Sequence, residues 1–484
     1  MAQPPGLQPL PAENTKPPLV ELLVLALPTI AQMASYTVMQ FGDTWMLSRV
    51  GDVQATAAGQ GSMLTFAFIS FGMGVLFCVN TLVSQAFGKG DNGACGRFLW
   101  QGVWFGLIYG AAMLPLLPLA RPLFDLMGHD PALASPEALY VRVTLGGAAF
   151  KLVATAVGQF LLAVNRPNVV LLAAFTAMVL DTILNYVLIF GKLGFPAMGV
   201  AGAAWTTNFS ALVELAVMAL FVARTPLGRL YHAFDWKLRP QLMRTLMNVG
   251  VPSGVQIVTE VFAWTLFSVL VVGRLGNEMM AATNYVFRFM SVSFMPAFGL
   301  ATAVTALVGR YIGMGRPDIA ARRAHLGFAV TAVYMVLCGL LFYFGRGLLM
   351  TLFTRQPTVL SIGTVLLTYA AVYQLFDAMY ILYNGALRGA GDTFVPAVVT
   401  GTLCWTITVG GGYLAATYLP QFGINGPWLA ATVYAVVLGV YLMLRFTRGG
   451  WRSIKLDTDE GITEASNVPE PSARLPDLQL TVEK

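Results

Sequence analysis

Charge is what this 484-residue chain has least of: Asp, Glu, Lys and Arg make up 11% of it, and 57% is hydrophobic. An average soluble domain is about 25% charged, so a water-soluble globular fold is excluded and an integral membrane protein is expected. Cysteine is equally sparse. Cys78, Cys95, Cys338 and Cys404 stand far apart, three of them in apolar runs, which argues against a disulfide framework or a zinc site and leaves buried thiols. The three histidines, His129, His232 and His325, fall in or near loops, so a histidine proton relay has no support. No Gly-x-x-x-x-Gly-Lys phosphate loop occurs, which argues against ATP. No Ser/His/Asp or Cys/His set lies together and no soluble catalytic domain fits, so neither an enzyme nor a cofactor is expected. The net charge of +6 is dispersed over loops and builds no basic domain, which excludes nucleic acid as a partner. The N-terminal "MAQPPGLQPLPAENTKPP" has no apolar core, so it reads as a disordered cytoplasmic lead over 1–19 and not as a signal peptide. The acidic C-terminal stretch over 448–484 reads as a cytoplasmic tail.

What remains is a series of long apolar runs. At roughly 20 residues per span, they fall near 20–47, 54–86, 98–120, 136–164, 168–191 and 198–223, then near 245–272, 279–312, 325–346, 359–387, 395–418 and 425–446. The expected fold is therefore all-α, with twelve transmembrane helices. The segment 224–244, "RTPLGRLYHAFDWKLRPQLMR", is the linker between an N-lobe over 20–223 and a C-lobe over 245–447. With the N-terminus inside, outward loops hold only Arg49, Arg121, Lys192, Arg274, Arg346 and Arg355. That is about a third of the basic residues facing inward, so both termini are placed in the cytoplasm of a multi-pass plasma-membrane protein.

The halves repeat. "LPTIAQ" at 27–32 answers "VPSGVQ" at 251–256, "SRVGD" at 48–52 answers "GRLGN" at 273–277, and "VNTLVSQAFGKGD" at 79–91 answers "VTALVGRYIGMGR" at 304–316. The shared spacing near 225 residues marks a duplication. Six helices per repeat is an even number, so both lobes insert the same way and are related by a pseudo-two-fold axis along the membrane normal. Two such bundles with a cleft between them suit alternating access.

Of 23 Asp and Glu, only Asp43, Asp181, Glu214, Glu260 and Asp377 lie well inside these spans. An ionised acid there costs about 2.5–3.5 kcal/mol even on the insertion scale, so each faces a cavity, a partner or a passing ion. In the C-terminal half, Glu260 has Gln256 one turn before it and Trp264 one turn after. Asp377 belongs to a helical stripe with Tyr369, Tyr373, Tyr380 and Asn384. These groups offer hard oxygen ligands to a small cation such as Na+, or a buried carboxyl pair that holds a proton. Both readings stand. The eighth span adds Asn284 and Arg288, the arginine either neutralising an acid or acting on substrate.

In the N-terminal half, Gln32, Tyr36, Gln40 and Asp43 share a face of the first span, Asp181 and Asn185 share a face of the fifth, and Pro28 gives the first span a place to bend. Lys151 is read as a structural counter-charge in preference to a part of the proton path, and Glu214 as a paired acid. Aromatics suited to flat cations are Tyr36, Trp264, Phe287, Tyr373 and Tyr380. At the repeat spacing Glu260 answers Tyr36 and Asp43 answers Phe267, so the acids are not duplicated along with the scaffold.

Together "LPTIAQ", "FGDTWMLSRVG", "SQAFGKGD", "LDTILNY", "VPSGVQIVTE", "LVGRYIGMGR" and "FDAMYILYNGALRGAGDT" resemble the multidrug and toxic compound extrusion (MATE) family, its NorM-like branch above all, over about residues 20–447. The resemblance implies a two-lobed monomeric exporter of organic cations in a bacterial inner membrane, driven by inward Na+ or H+. It also implies a C-lobe coupling site at Glu260, Asp377 and Tyr373, with Na+ the one metal in view, and an N-lobe site at Asp43 and Asp181. Where some members carry an asparagine one turn before the second of these, this chain has Ala177, and Asn185 is the substitute. The alternative is a flippase for lipid-linked precursors or polysaccharide, which calls for a more cationic cleft.

Overall fold

The computed structural model describes residues 17–456, so most of the expected lead and tail lies outside the described residues. Among these residues the chain is helical and has no strand. In chain order α1 is Pro18–Ser48, α2 Asp52–Lys89, α3 Asn92–Leu126, α4 the bent pair Pro131–Gly146 and Ala148–Ala163, α5 Pro167–Phe190, and α6 Val200–Arg224. The second set is α7 Pro240–Leu275, α8 Asn277–Gly313, α9 Pro317–Thr351, α10 Pro357–Ala390, α11 Phe394–Tyr418 and α12 Asn425–Arg448. Proline opens α4, α5, α7, α9 and α10, at positions where a missing N–H costs no intrahelical bond. Gly90 and Gly315, one repeat apart, turn the chain out of α2 and α8 at φ of 80° and 70°, which few other residues adopt.

Several spans depart from the plain runs seen in sequence. α4 starts earlier than expected and bends by 46° at Gly147. The Asn208 side chain of α6 fills the space a Cβ on Gly147 would need and donates to the Val143 carbonyl at 2.6 Å, beside a stretched bond from the Gly147 N–H to the same carbonyl at 3.3 Å. The bend therefore has a cause: a side chain inserted into the helical ladder. α3 tightens to a 3-10 stretch over Leu114–Leu119, where two prolines remove donors. α7 and α11 widen into π-helical turns at Phe267–Val272 and Cys404–Gly411. Pro240 starts α7 inside the expected linker, leaving residues 225–239 as the connection. Beyond α12 the chain makes one more turn, with Trp451 buried and stacked on Phe446 at 5.0 Å.

The two lobes meet symmetrically. A Cβ on Gly88 would lie 2.0 Å from the Arg310 carbonyl, and one on Gly313, its repeat partner, would lie 2.1 Å from the Gln85 carbonyl. Gly74 packs on Ser253 and Gly254 of α7 just as Gly299 packs on Thr29 and Ile30 of α1. The lobes also interlock. Leu22 and Leu25 of α1 sit in the C-lobe core with Val304, Leu307 and Leu382, and their counterparts Leu246 and Val249 of α7 sit in the N-lobe core with Val75 and Val79.

Polar contacts reinforce this closed end. Glu21 of α1 accepts from Arg323 Nε at 2.8 Å and from the Tyr311 hydroxyl at 2.8 Å. Thr81 donates to the Arg388 carbonyl and Gln85 to that of Gly389. Among the described residues, every hydrogen bond between α1–α6 and α7–α12 lies in this half. Beyond it, residues 53–66 of α2 and 277–296 of α8 are largely uncovered, whereas 74–86 and 297–311 are buried.

Candidate functional site

Two polar clusters stand just past the last contact between lobes. Glu260 follows Gly254 by six residues and Tyr36 follows Ile30 by six, about 9 Å of helix rise in each case. Both clusters therefore lie at the floor of the cleft, on the first helix of each repeat.

In the C-lobe, the Tyr380 hydroxyl donates a short hydrogen bond to Glu260 Oε1, and the Tyr434 hydroxyl approaches the same oxygen at 3.5 Å. Gln256 Nε2 reaches Tyr380 Oη at 3.4 Å and Thr400 Oγ1 at 3.3 Å. Three helices, α7, α10 and α12, thus organise one carboxyl. Trp264 forms the wall beside it, meeting Phe267, Phe287, Tyr373 and Tyr434 edge to face with centroids 5.6–6.4 Å apart. Asp377 is 7% exposed and lies within electrostatic range of Glu260. Among the described residues no side chain hydrogen-bonds its carboxyl, so this acid is preorganised by burial alone. Tyr373 is buried against Trp264, and no hydroxyl contact joins it to Asp377.

The N-lobe holds two adjoining networks. Asn185 Nδ2 donates to Asp43 Oδ1 at 2.5 Å and to Asp181 Oδ2 at 2.9 Å, while Ser210 Oγ donates to Asp181 Oδ1 at 3.0 Å. The amide thus bridges the two acids. Beside it, the Tyr36 hydroxyl donates a short bond to Glu214 Oε1 and receives one from Gln32 Nε2 at 3.0 Å. The Lys151 ammonium lies over the Tyr36 ring, 4.5 Å from its centroid. Tyrosine–glutamate pairing therefore occurs in both lobes with the partners exchanged: α1 brings the tyrosine where α7 brings the glutamate.

Other expected residues stand apart from these clusters. Gln40, Asn284 and Arg288 are exposed, and among the described residues no ion pair joins Arg288 to Glu260 or Asp377. Asn384 is buried two turns beyond Asp377 with no side-chain hydrogen bond among the described residues, whereas Phe287 joins the C-lobe wall, packed between Trp264 and Trp428. α1 is continuous through Pro28. Tyr434, Thr400 and Ser210 escaped the sequence reading because each is one hydroxyl in an apolar helix and gains meaning only from a helix distant in sequence. Glu21 and Glu137 escaped because they sit at span edges. Both are buried, Glu21 with Arg323 and Glu137 with His129 Nδ1 at 2.8 Å. No group of three His, Cys, Asp or Glu suited to a resident metal occurs among the described residues.

Comparison with known proteins adds a family context. The MatE family model matches residues 28–187 and again residues 252–414, once per lobe. The probable multidrug resistance protein NorM of Chromobacterium violaceum is 30% identical, covering 90% of this chain and 95% of its own length. The multidrug resistance protein PmpM of Pseudomonas aeruginosa is 28% identical over 90% of this chain and 93% of its own. In fold, the chain is similar to a multidrug resistance MATE family transporter of the MOP superfamily solved facing outward. That match has a TM-score of 0.83 at 18% identity and covers 91% of this chain and 98% of the other.

Proposed function

Because the chain belongs to the MatE family of multidrug transporters, we propose that it is a secondary antiporter, exporting drug-like organic cations in exchange for inward Na+ or H+ at the cleft-floor acids. The observation that carries this reading is Asp377, a buried carboxyl with no hydrogen-bond donor, opposite a Glu260 that two tyrosines hold in place. A buried acid without a partner is costly unless an ion or proton visits it. Na+ or H+ taken up between Asp377 and Glu260 cancels one negative charge there, and its arrival competes with a cationic drug drawn to the same acids and to the Trp264 aromatic wall.

In this reading the closed end faces the cytoplasm of a bacterium, both termini are inside, and the cleft opens outward in a monomer. Pro28 is the bend of α1 in the return step. A flippase for anionic lipid-linked precursors calls for a cationic floor, and five acids set against Lys151 weigh against it. The experiment is Asp377→Asn in a drug-sensitive bacterial host. Resistance should fall to the level of the empty host with membrane expression unchanged, and retained resistance would sink the mechanism.

A further inference from the structure

Lys151 is the one basic residue near the cleft floor that the antiport scheme leaves without a task. It sits on α4, four residues past the Gly147 bend, and the bend sets the direction in which this part of the helix faces α1 and α6. Its ammonium lies on the Tyr36 ring at 4.5 Å, and the hydroxyl of that ring is bonded to Glu214. It is also within electrostatic range of Asp181, though no ion pair of 4.0 Å or less forms between them among the described residues. The titratable groups around it are Tyr36 of α1 beneath it and Asp181 of α5 within electrostatic range, with Glu214 of α6 joined through the Tyr36 hydroxyl and Asp43 of α1 joined to Asp181 through the Asn185 amide. α2, α3 and α8 also pack on α4, and they carry no charged residue between Asp52 and Lys89, between Arg97 and Arg121 or between Arg288 and Arg310.

The N-lobe thus holds three carboxyls, Asp181 with both oxygens met by neutral donors and Asp43 and Glu214 with one each, and one ammonium that lies over Tyr36 and in electrostatic range of Asp181. A lysine head is a compact monovalent charge on a four-carbon tether, so it answers the same electrostatic demand as a monovalent metal ion. The C-lobe lacks this arrangement. Among the described residues no Lys or Arg is ion-paired to Glu260 or Asp377, and Arg388, the cation closest in influence to Glu260, lies over Phe77 two turns beyond Tyr380.

We propose that Lys151 is the resident counter-cation of the N-lobe, a positioning residue whose ammonium stands in for a coupling Na+ and so bars Na+ from the Asp43–Asp181–Glu214 acids. Na+, where it couples, then acts at Glu260 and Asp377, and the N-lobe acids exchange protons only. This inference rests on the antiport reading and sharpens it by dividing the ions between the lobes.

The test is radioactive Na+ binding to purified full-length protein in detergent at mildly alkaline pH, in a Glu260→Gln/Asp377→Asn background that silences the C-lobe. With Lys151 intact, that protein should bind no more Na+ than the same background carrying Asp43→Asn and Asp181→Asn. Lys151→Met or Lys151→Gln should raise Na+ affinity at least about tenfold, the effect of removing one nearby like charge, whereas Lys151→Arg should stay at the starting level. Na+ binding at the N-lobe acids with Lys151 present overturns the proposal, and so does unchanged binding in a neutral variant that stays monodisperse with a sharp melting transition. Failure of the antiport reading would appear elsewhere, as wild-type proteoliposomes that export no cationic dye under either a Na+ or a pH gradient.

Discussion

At the scale of single residues, the C-lobe cluster gives its tyrosines unequal weight. A hydrogen bond to a charged group contributes about 1.5–3 kcal/mol, and Glu260 takes its close one from Tyr380, with Tyr434 at 3.5 Å. Tyr380→Phe should therefore slow dye efflux about tenfold or more and Tyr434→Phe clearly less, measured in inverted membrane vesicles at matched expression. Wild-type rates in both would remove the network from the coupling site. Tyr373, named by family resemblance, packs on Trp264 by its ring. Tyr373→Phe keeps that packing and removes only the hydroxyl, so it separates a ligand role from a wall role: efflux is lost in the first case and kept in the second.

At the scale of helices, the bend and the closed end make distinct demands. Asn208→Ala removes the shorter of the two bonds to the Val143 carbonyl, leaving it the Gly147 N–H at 3.3 Å, a loss of about 0.5–1.5 kcal/mol, and should lower the melting temperature in detergent. At the closed end, α2 and α8 approach so nearly that no Cβ fits at Gly88 or Gly313. Gly88→Leu should hold the lobes apart there, raising the labelling rate of a cysteine put in place of Ser84, which is buried against Gly309 of α8. The Glu21 cluster works on the same contact from α1. Breaking a buried ion pair by removing one partner costs about 3–5 kcal/mol, so Arg323→Ala should shift the population away from the closed end, and the same cysteine-accessibility assay should report it.

For the whole molecule, the interlock of α1 and α7 means that neither six-helix lobe holds all of its own core. Leu22 and Leu25 are buried by the C-lobe and Leu246 and Val249 by the N-lobe, so rocking the lobes requires these two helices to change partners or bend. Coupling is a property at this scale too. In proteoliposomes, a Na+ gradient and a pH gradient imposed separately should each be tested for dye export. Export under one alone identifies the driving ion, and export under neither overturns antiport.

The number of spans, the duplication and the five acids within the spans were legible in the sequence, because burial in lipid imposes long apolar runs on which any charge stands out. Even the shared face of Asn185 and Asp181 followed from local helical spacing. Only the tertiary structure decided who partners whom. That Tyr36 serves Glu214, that Tyr380 and Tyr434 serve Glu260, and that Asp377 is left without a donor depend on distances between helices up to about 180 residues apart in sequence. Helical periodicity fixes which residues share a face, whereas the neighbour of that face is set by the bend at Gly147 and the glycine contacts between the lobes, where backbone shape and not residue pattern carries the information.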